Sequence, residues 1–215
     1  MLFRSIVDYG VGNLFSLRSS LEALGEHPLV TADPEAIRAA DRVILPGVGA
    51  FADAAARLRA GGLDGVTREI AQRGTPLMGI CLGMQLLFEK SLEYGEHSGL
   101  GLLKGTVRPI RGILDDCGAD PEGKLKIPQM GWNALRFRQA SPLFRYIQEG
   151  DYVYFVHSYA ATDCDDALAA DTEYGTWLTA CVQRENVFGC QFHPEKSGTV
   201  GLNILKAFCK TEKEA

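Results

Sequence analysis

Short apolar runs alternate with helical spacings through the first half of the chain. Residues 4–9 read as a buried strand that stops at Gly10. Leu14, Leu17, Leu21 and Leu24 then recur at helical spacing, and Gly25 supplies a C-terminal stop. A short strand is predicted near residues 27–30. Asp33 before Pro34 has the form of an N-cap followed by proline at the first helical position. A strand at 42–45, two Ala-rich helical pieces and a buried strand at 76–80 complete the rhythm. Strands alternating with helices in this way predict a parallel, doubly wound sheet.

The second half changes pattern. Residues 106–110, 132–138, 152–156, 177–184 and 187–192 are strand-like and mostly separated by turn residues, and a helix is predicted over 200–209. The segment 111–126, rich in Gly and acidic residues, reads as an exposed surface loop. The expected fold is α/β: a single open, mostly parallel (flavodoxin-like) sheet with helices on both faces and added antiparallel strands in the C-terminal half. No internal repeat or low-complexity linker breaks the chain, so one domain over 1–215 is expected.

Composition narrows the function classes. The 215 residues carry a net charge of −5 with Lys and Arg dispersed, which argues against nucleic-acid binding. No run of about 18 apolar residues occurs, so no membrane span is expected. Met1-Leu2-Phe3 leads straight into the first strand without a targeting segment, which points to the cytoplasm and to reduced thiols. The six cysteines form no CxxC pair, and no histidine lies at zinc-finger spacing. For five of them the expected role is that of a small buried hydrophobe.

The sixth is Cys81. Gly79-Ile80-Cys81-Leu82-Gly83, between a strand and a helix, is a nucleophile-elbow pattern with Cys in place of Ser. The sharp turn strains the nucleophile's backbone and sets its sulfur at a helix N-terminus, where thiolate is favoured. The N–H of Leu82 is placed to serve an oxyanion. A base is needed as well, and His193 in Phe192-His193-Pro194-Glu195 follows an apolar strand. Positions i and i+2 of an extended segment share a face, so Glu195 can orient His193. Pro46-Gly47-Val48-Gly49, after another parallel strand, is either an oxyanion loop or a tight strand-to-helix turn.

Together the elbow, His193-Pro194-Glu195 and Pro46-Gly47-Val48-Gly49 resemble the class I (triad) glutamine amidotransferases over essentially the whole chain. Asp8-Tyr9-Gly10-Val11-Gly12-Asn13, Pro128-Gln129-Met130-Gly131-Trp132-Asn133 and Tyr154-Phe155-Val156-His157-Ser158-Tyr159 resemble the branch that serves histidine biosynthesis. The resemblance implies a glutaminase with Cys81 as nucleophile, His193 as base then acid, and Glu195 orienting it. It implies an oxyanion hole from the Val48 and Leu82 N–H groups, with a loop that rearranges before it donates. Gly47, Gly49, Gln85 and Glu93 match positions that hold glutamine, as do His157, Ser158 and Tyr159. The implied partner is a separate (β/α)8-barrel cyclase in a heterodimer, which receives the ammonia to make imidazole glycerol phosphate and aminoimidazole carboxamide ribotide. Asn13, Pro128, Gln129, Met130 and Trp132 match segments that face it. The family often has His where Gln129 stands. No cofactor or metal is implied.

Three other readings compete: a glutaminase for a different acceptor pathway, a non-catalytic regulatory module on the same fold, and a cysteine peptidase. The glutaminase predicts glutamate release that rises with the cyclase and its nucleotide, a regulatory module predicts none, and a peptidase predicts cleavage without a partner.

Overall fold

The computed structural model describes residues 4–211. The Met1-Leu2-Phe3 stretch considered above for targeting, and the last four residues of the expected domain, lie outside them. The parallel part of the sheet is built from β1 (Arg4–Val7), β2 (Leu29–Thr31), β3 (Arg42–Leu45) and β4 (Leu77–Ile80). These are joined by α1 (Leu14–Ala23), α2 (Pro34–Arg38), α3 (Phe51–Ala60) and α4 (Leu63–Gln72). As expected, Asp33 caps α2, its side chain accepting the Glu35 N–H at 3.0 Å.

Beyond β4 come α5 (Leu82–Leu86), β5 (Phe88–Ser91), β6 (His97–Ser98), β7 (Leu103–Pro109) and α6 (Ile110–Asp116). Then follow β8 (Gln129–Ala134), β9 (Arg136–Phe137), β10 (Tyr152–His157), β11 (Tyr159–Thr162), β12 (Leu168–Tyr174), β13 (Thr176–Arg184), β14 (Val187–Cys190) and α7 (Gly198–Phe208). The main sheet has the order β2-β1-β3-β4-β14-β13-β12-β9. Its first five strands pair in parallel and the last three are antiparallel additions. Two smaller sheets, β10-β8 and β11-β7-β5-β6, flank it.

Strand alternation sends neighbouring residues to opposite layers. Val7, Leu45 and Leu77 pack with Phe51 and Leu58 of α3 and Ile70 of α4. Ile6, Ile44 and Met78 pack with Leu17 and Leu21 of α1 and Ile204 and Phe208 of α7. Both faces of β3 and β4 are therefore buried, which is why these runs are continuously apolar.

Two expectations are corrected. Segment 111–126 is not a loop throughout: its start belongs to α6, because Ile110 and Leu114 fall one helical turn apart and are both buried. The remainder folds around Asp120, which accepts the N–H groups of Lys124 and Leu125 and an ion pair from Arg111 at 2.7 Å. Cys164, Cys181, Cys190 and Cys209 are buried as expected, and Cys117 is the exposed thiol that its place in segment 111–126 implies rather than a fifth small buried hydrophobe. Among the described residues no helix is long and apolar enough to cross a membrane.

The parallel strands deliver their C-terminal ends to one edge, where open α/β sheets place their sites. Tyr9 follows β1, Pro46 follows β3, Cys81 follows β4, and Gln191 and His193 follow β14.

Candidate active site

The turn from β4 into α5 is severe. Cys81 sits at φ 53° and ψ −114°, a conformation that costs a non-glycine residue roughly 1–3 kcal/mol. Its N–H donates to the Cys190 carbonyl at 2.7 Å, which ties the elbow to the end of β14. The flanking glycines make the turn possible. A Cβ on Gly79 would lie 2.6 Å from the Gly83 oxygen, and one on Gly83 would collide with the Leu45 carbonyl.

Because β14 pairs with β4, Cys190 opposite Ile80, the chain leaving β14 runs beside the elbow. His193 lies there, buried, with its Nδ1 2.8 Å from Glu195 Oε1. Pro194 opens the 3₁₀ turn that brings the two side chains together. Nδ1–H donates to the carboxylate, so Nε2 is the nitrogen left for sulfur. Burial pulls the His193 pKa down, but hydrogen bonds to Cys81 and Glu195 outweigh it and lift the value to about 9. Tyr9 is also buried beside the sulfur; burial, then the charge of Cys81, push its hydroxyl pKa upward.

The loop after β3 is held at each end. The Tyr9 hydroxyl donates to the Pro46 carbonyl at 2.7 Å, and Glu93 accepts the Phe51 N–H at 2.6 Å where α3 begins. Gly47 packs onto the elbow, where a Cβ would lie 2.7 Å from the Gly83 nitrogen. Val48 is exposed, and Gly49 adopts φ +98°. Leu82 occupies the first position of α5, where a helix offers its N–H no carbonyl.

A cavity of about 400 Å³ opens over the sulfur. Of the residues expected around glutamine, Gly49, Gln85, Glu93, His157, Ser158 and Tyr159 line it together with Cys81 and Leu82, whereas Gly47 lies beneath the elbow and does not. Tyr94, Pro109, Arg111 and Ile127 also line it, and the sequence reading missed all four. Arg111 was hidden inside the supposed loop; the Ile110–Leu114 spacing was the signal that could have found it. His157 is buried with Nδ1 at 2.8 Å from the Tyr159 carbonyl and Nε2 at 3.0 Å from Gln129 Oε1. Burial lowers its pKa to about 4, the Tyr159 bond opposing and the charge of His193 adding to the fall.

The residues expected at a partner face divide. Met130 and Trp132 are 63% and 51% exposed, Pro128 is exposed, and Asn13 is partly exposed ahead of α1. Gln129 is the exception and is corrected here: β8 alternation turns it inward, fully buried, with its amide on His157 and Asn133. The Trp132 ring meets Tyr154 edge-on at 6.0 Å, and the Tyr154 carbonyl accepts the His193 N–H at 3.0 Å. The exposed face is thus two contacts from the buried histidine. Among the described residues no group of three or more His, Cys, Asp or Glu is arranged to hold a metal ion.

A family profile described as "Glutamine amidotransferase class-I" matches residues 5–211. The "Imidazole glycerol phosphate synthase subunit HisH" of Oceanobacillus iheyensis is 49% identical over 95% of this chain and 96% of its own length. The protein of the same description from Bacillus subtilis is 48% identical over 97% and 96%. Among solved structures, "Structure of PurLQS from Thermotoga maritima" aligns with a TM-score of 0.72 at 22% identity, covering 97% of each chain; that likeness concerns the fold alone.

Proposed function

The chain belongs to the class-I glutamine amidotransferase family, and on that premise we propose that Cys81, His193 and Glu195 hydrolyse glutamine in the cavity described above. Its function is that of the glutaminase subunit of imidazole glycerol phosphate synthase, acting with a second, cyclase subunit. The observation that carries the residue assignment is the placement of a strained, cavity-lining cysteine next to a buried His–Glu pair.

With its proton already held by His193, whose pKa is raised to about 9, Cys81 Sγ attacks the side-chain carboxamide carbon. The developing oxyanion is stabilised by the N–H of Leu82 and, once the loop presents it, that of Val48. His193 returns the proton to nitrogen as the C–N bond breaks and ammonia leaves. Water, deprotonated by His193, then cleaves the thioester and frees glutamate. Glu195 holds the imidazole tautomer throughout. Glu93 gives the cavity a negative group for the ammonium end of an amino acid, whereas Arg111, also at its wall, is already paired with Asp120.

The cyclase is a (β/α)8 barrel that docks over Met130 and Trp132, with Pro128 and Asn13 at the same face, and Gln129 supporting that face from behind. An exposed Trp beside an exposed Met is the kind of anchor that interfaces use. The pair works in the cytoplasm. Glutamate release from glutamine, measured for this chain alone and with the cyclase and its nucleotide ligand, tests the reading. Cys81→Ala should abolish glutamine-dependent synthesis and leave ammonia-dependent synthesis intact. Loss of both, or glutamate release that survives the substitution, overturns the assignment.

A further inference from the structure

Cys81 Sγ has a second polar neighbour that the Cys–His–Glu reading leaves without a task. Gln191 follows β14, fully buried, and its side-chain Nε2 lies 3.7 Å from the sulfur. Its Oε1 accepts from Gln85 Nε2 at 2.9 Å, and Gln85 Nε2 also donates to the Tyr159 carbonyl at 3.1 Å.

An amide can present either end, so its direction is set by its partners. The Tyr159 carbonyl can only accept. Turning Gln85 over would oppose two oxygens, so Gln85 must face Tyr159 with its NH₂ group. That group's second hydrogen goes to Gln191 Oε1, which in turn leaves Gln191 Nε2 directed at the sulfur. The polarity of one backbone carbonyl is passed through two buried amides to the nucleophile. The same arrangement uses both Gln85 hydrogens and leaves its Oε1 as the group it can offer the cavity.

We propose that Gln191 is a positioning residue that donates an N–H to Cys81 Sγ, holding the sulfur in line and favouring its deprotonated form. The proposal rests on Cys81 being the nucleophile. An N–H bond to a thiolate is charge-assisted and stronger than one to a thiol, so it contributes most once the proton has moved to His193. Gln191 handles no proton of its own.

The test compares the pH profile of Cys81 alkylation by iodoacetamide in three proteins, all carrying Cys117→Ser to remove the exposed thiol. They are the parent, Gln191→Met and Gln85→Met. The titratable groups around the sulfur are unchanged in all three: His193 with Glu195 behind it, Tyr9, and His157 and Glu93 at the cavity. Gln191→Met should move the profile about one pH unit upward. In the complex it should lower kcat roughly tenfold, with KM within about twofold. Gln85→Met should move the profile in the same direction, because it releases the Gln191 amide to rotate. If Gln191→Met does not fold, Gln85→Met carries the test. Profiles that overlay the parent overturn the proposal. Alkylation needs neither glutamine nor cyclase, so that result is distinct from failure of the glutaminase reading, which Cys81→Ala reports.

Discussion

His193 and His157 are both buried at one active site, yet their protons are driven in opposite directions. His193 rises to about 9 and His157 falls to about 4. Burial pulls both down; the partners differ. His193 has a carboxylate at 2.8 Å and the sulfur on its other side, so a charged ring is compensated. His157 has a carbonyl and a carboxamide oxygen, both neutral acceptors. A neutral ring carries one hydrogen for those two oxygens. Burial sets the size of the penalty, and the sulfur and carboxylate on either side of His193 decide which protonation state survives it. On the proposed mechanism the same residue type is thereby a proton carrier at one position and a fixed polar wall at the other.

The comparison can be broken most severely by removing the carrier. His193→Ala should cut glutamine hydrolysis about 100- to 10,000-fold while ammonia-dependent synthesis by the complex persists. Comparable glutamate release in parent and variant would show that His193 moves no proton. Glu195→Gln should leave His193 with the sulfur as its one charged neighbour. Its titration midpoint, followed by imidazole NMR, should fall, and the loss of activity should be at least about tenfold smaller than for His193→Ala. Equal losses would give Glu195 a larger part than orientation.

The reverse exchange sharpens the contrast. Gln129→Glu offers His157 the carboxylate it lacks, and its midpoint should climb from about 4 toward the ordinary histidine range. A midpoint that stays put would mean that burial alone governs His157. The smallest effect is on stability. The folded pKa of His157 lies below the usual 6.5, so below that pH the unfolded chain binds a proton that the folded chain refuses. Stability is therefore lost as pH falls from 6.5 to about 4. The folded pKa of His193 is raised, so its contribution is complete below 6.5 and is lost as pH rises through about 9. Each limb is worth at most about 3 kcal/mol. Urea midpoints should show both limbs in the parent and a smaller alkaline limb in Glu195→Gln, where only the sulfur still raises His193.

The features that the sequence revealed are the local ones. The elbow spans five consecutive residues and follows from turn rules, and His193 and Glu195 are close because they are two apart, across a 3₁₀ turn rather than the extended segment expected. The parallel strands were legible because β3 and β4 are apolar on both faces. β5 was missed because Phe88-Glu89-Lys90-Ser91 buries only its ends, and β12 because Ala169, Ala170 and Asp171 are weak strand formers. Arg111 reached the cavity through a helix hidden by surrounding glycines and acids. The expected extended path from His193 to Glu195 was wrong, a 3₁₀ turn opened by Pro194 bringing them together instead, while Gln191, two residues before His193, was within reach of the sequence. Its direction was not, because that depends on the Tyr159 carbonyl, 32 positions away in the chain and reached only through Gln85.

The anchoring of the loop after β3 has one more consequence. With the Pro46 carbonyl fastened to Tyr9 and the Phe51 N–H to Glu93, the span between them has a fixed end-to-end length. What remains free is rotation of the intervening peptide planes. An oxyanion donor can then be supplied or withdrawn with almost no travel of the chain trace. Active and inactive forms of such an enzyme would superimpose on their Cα atoms and differ in the bearing of one amide. Glu93 also lines the cavity, so a bound ammonium group drawing on it pulls on the far anchorage of that same span. On the proposed mechanism, Glu93 therefore joins the cavity to the loop that carries the Val48 amide.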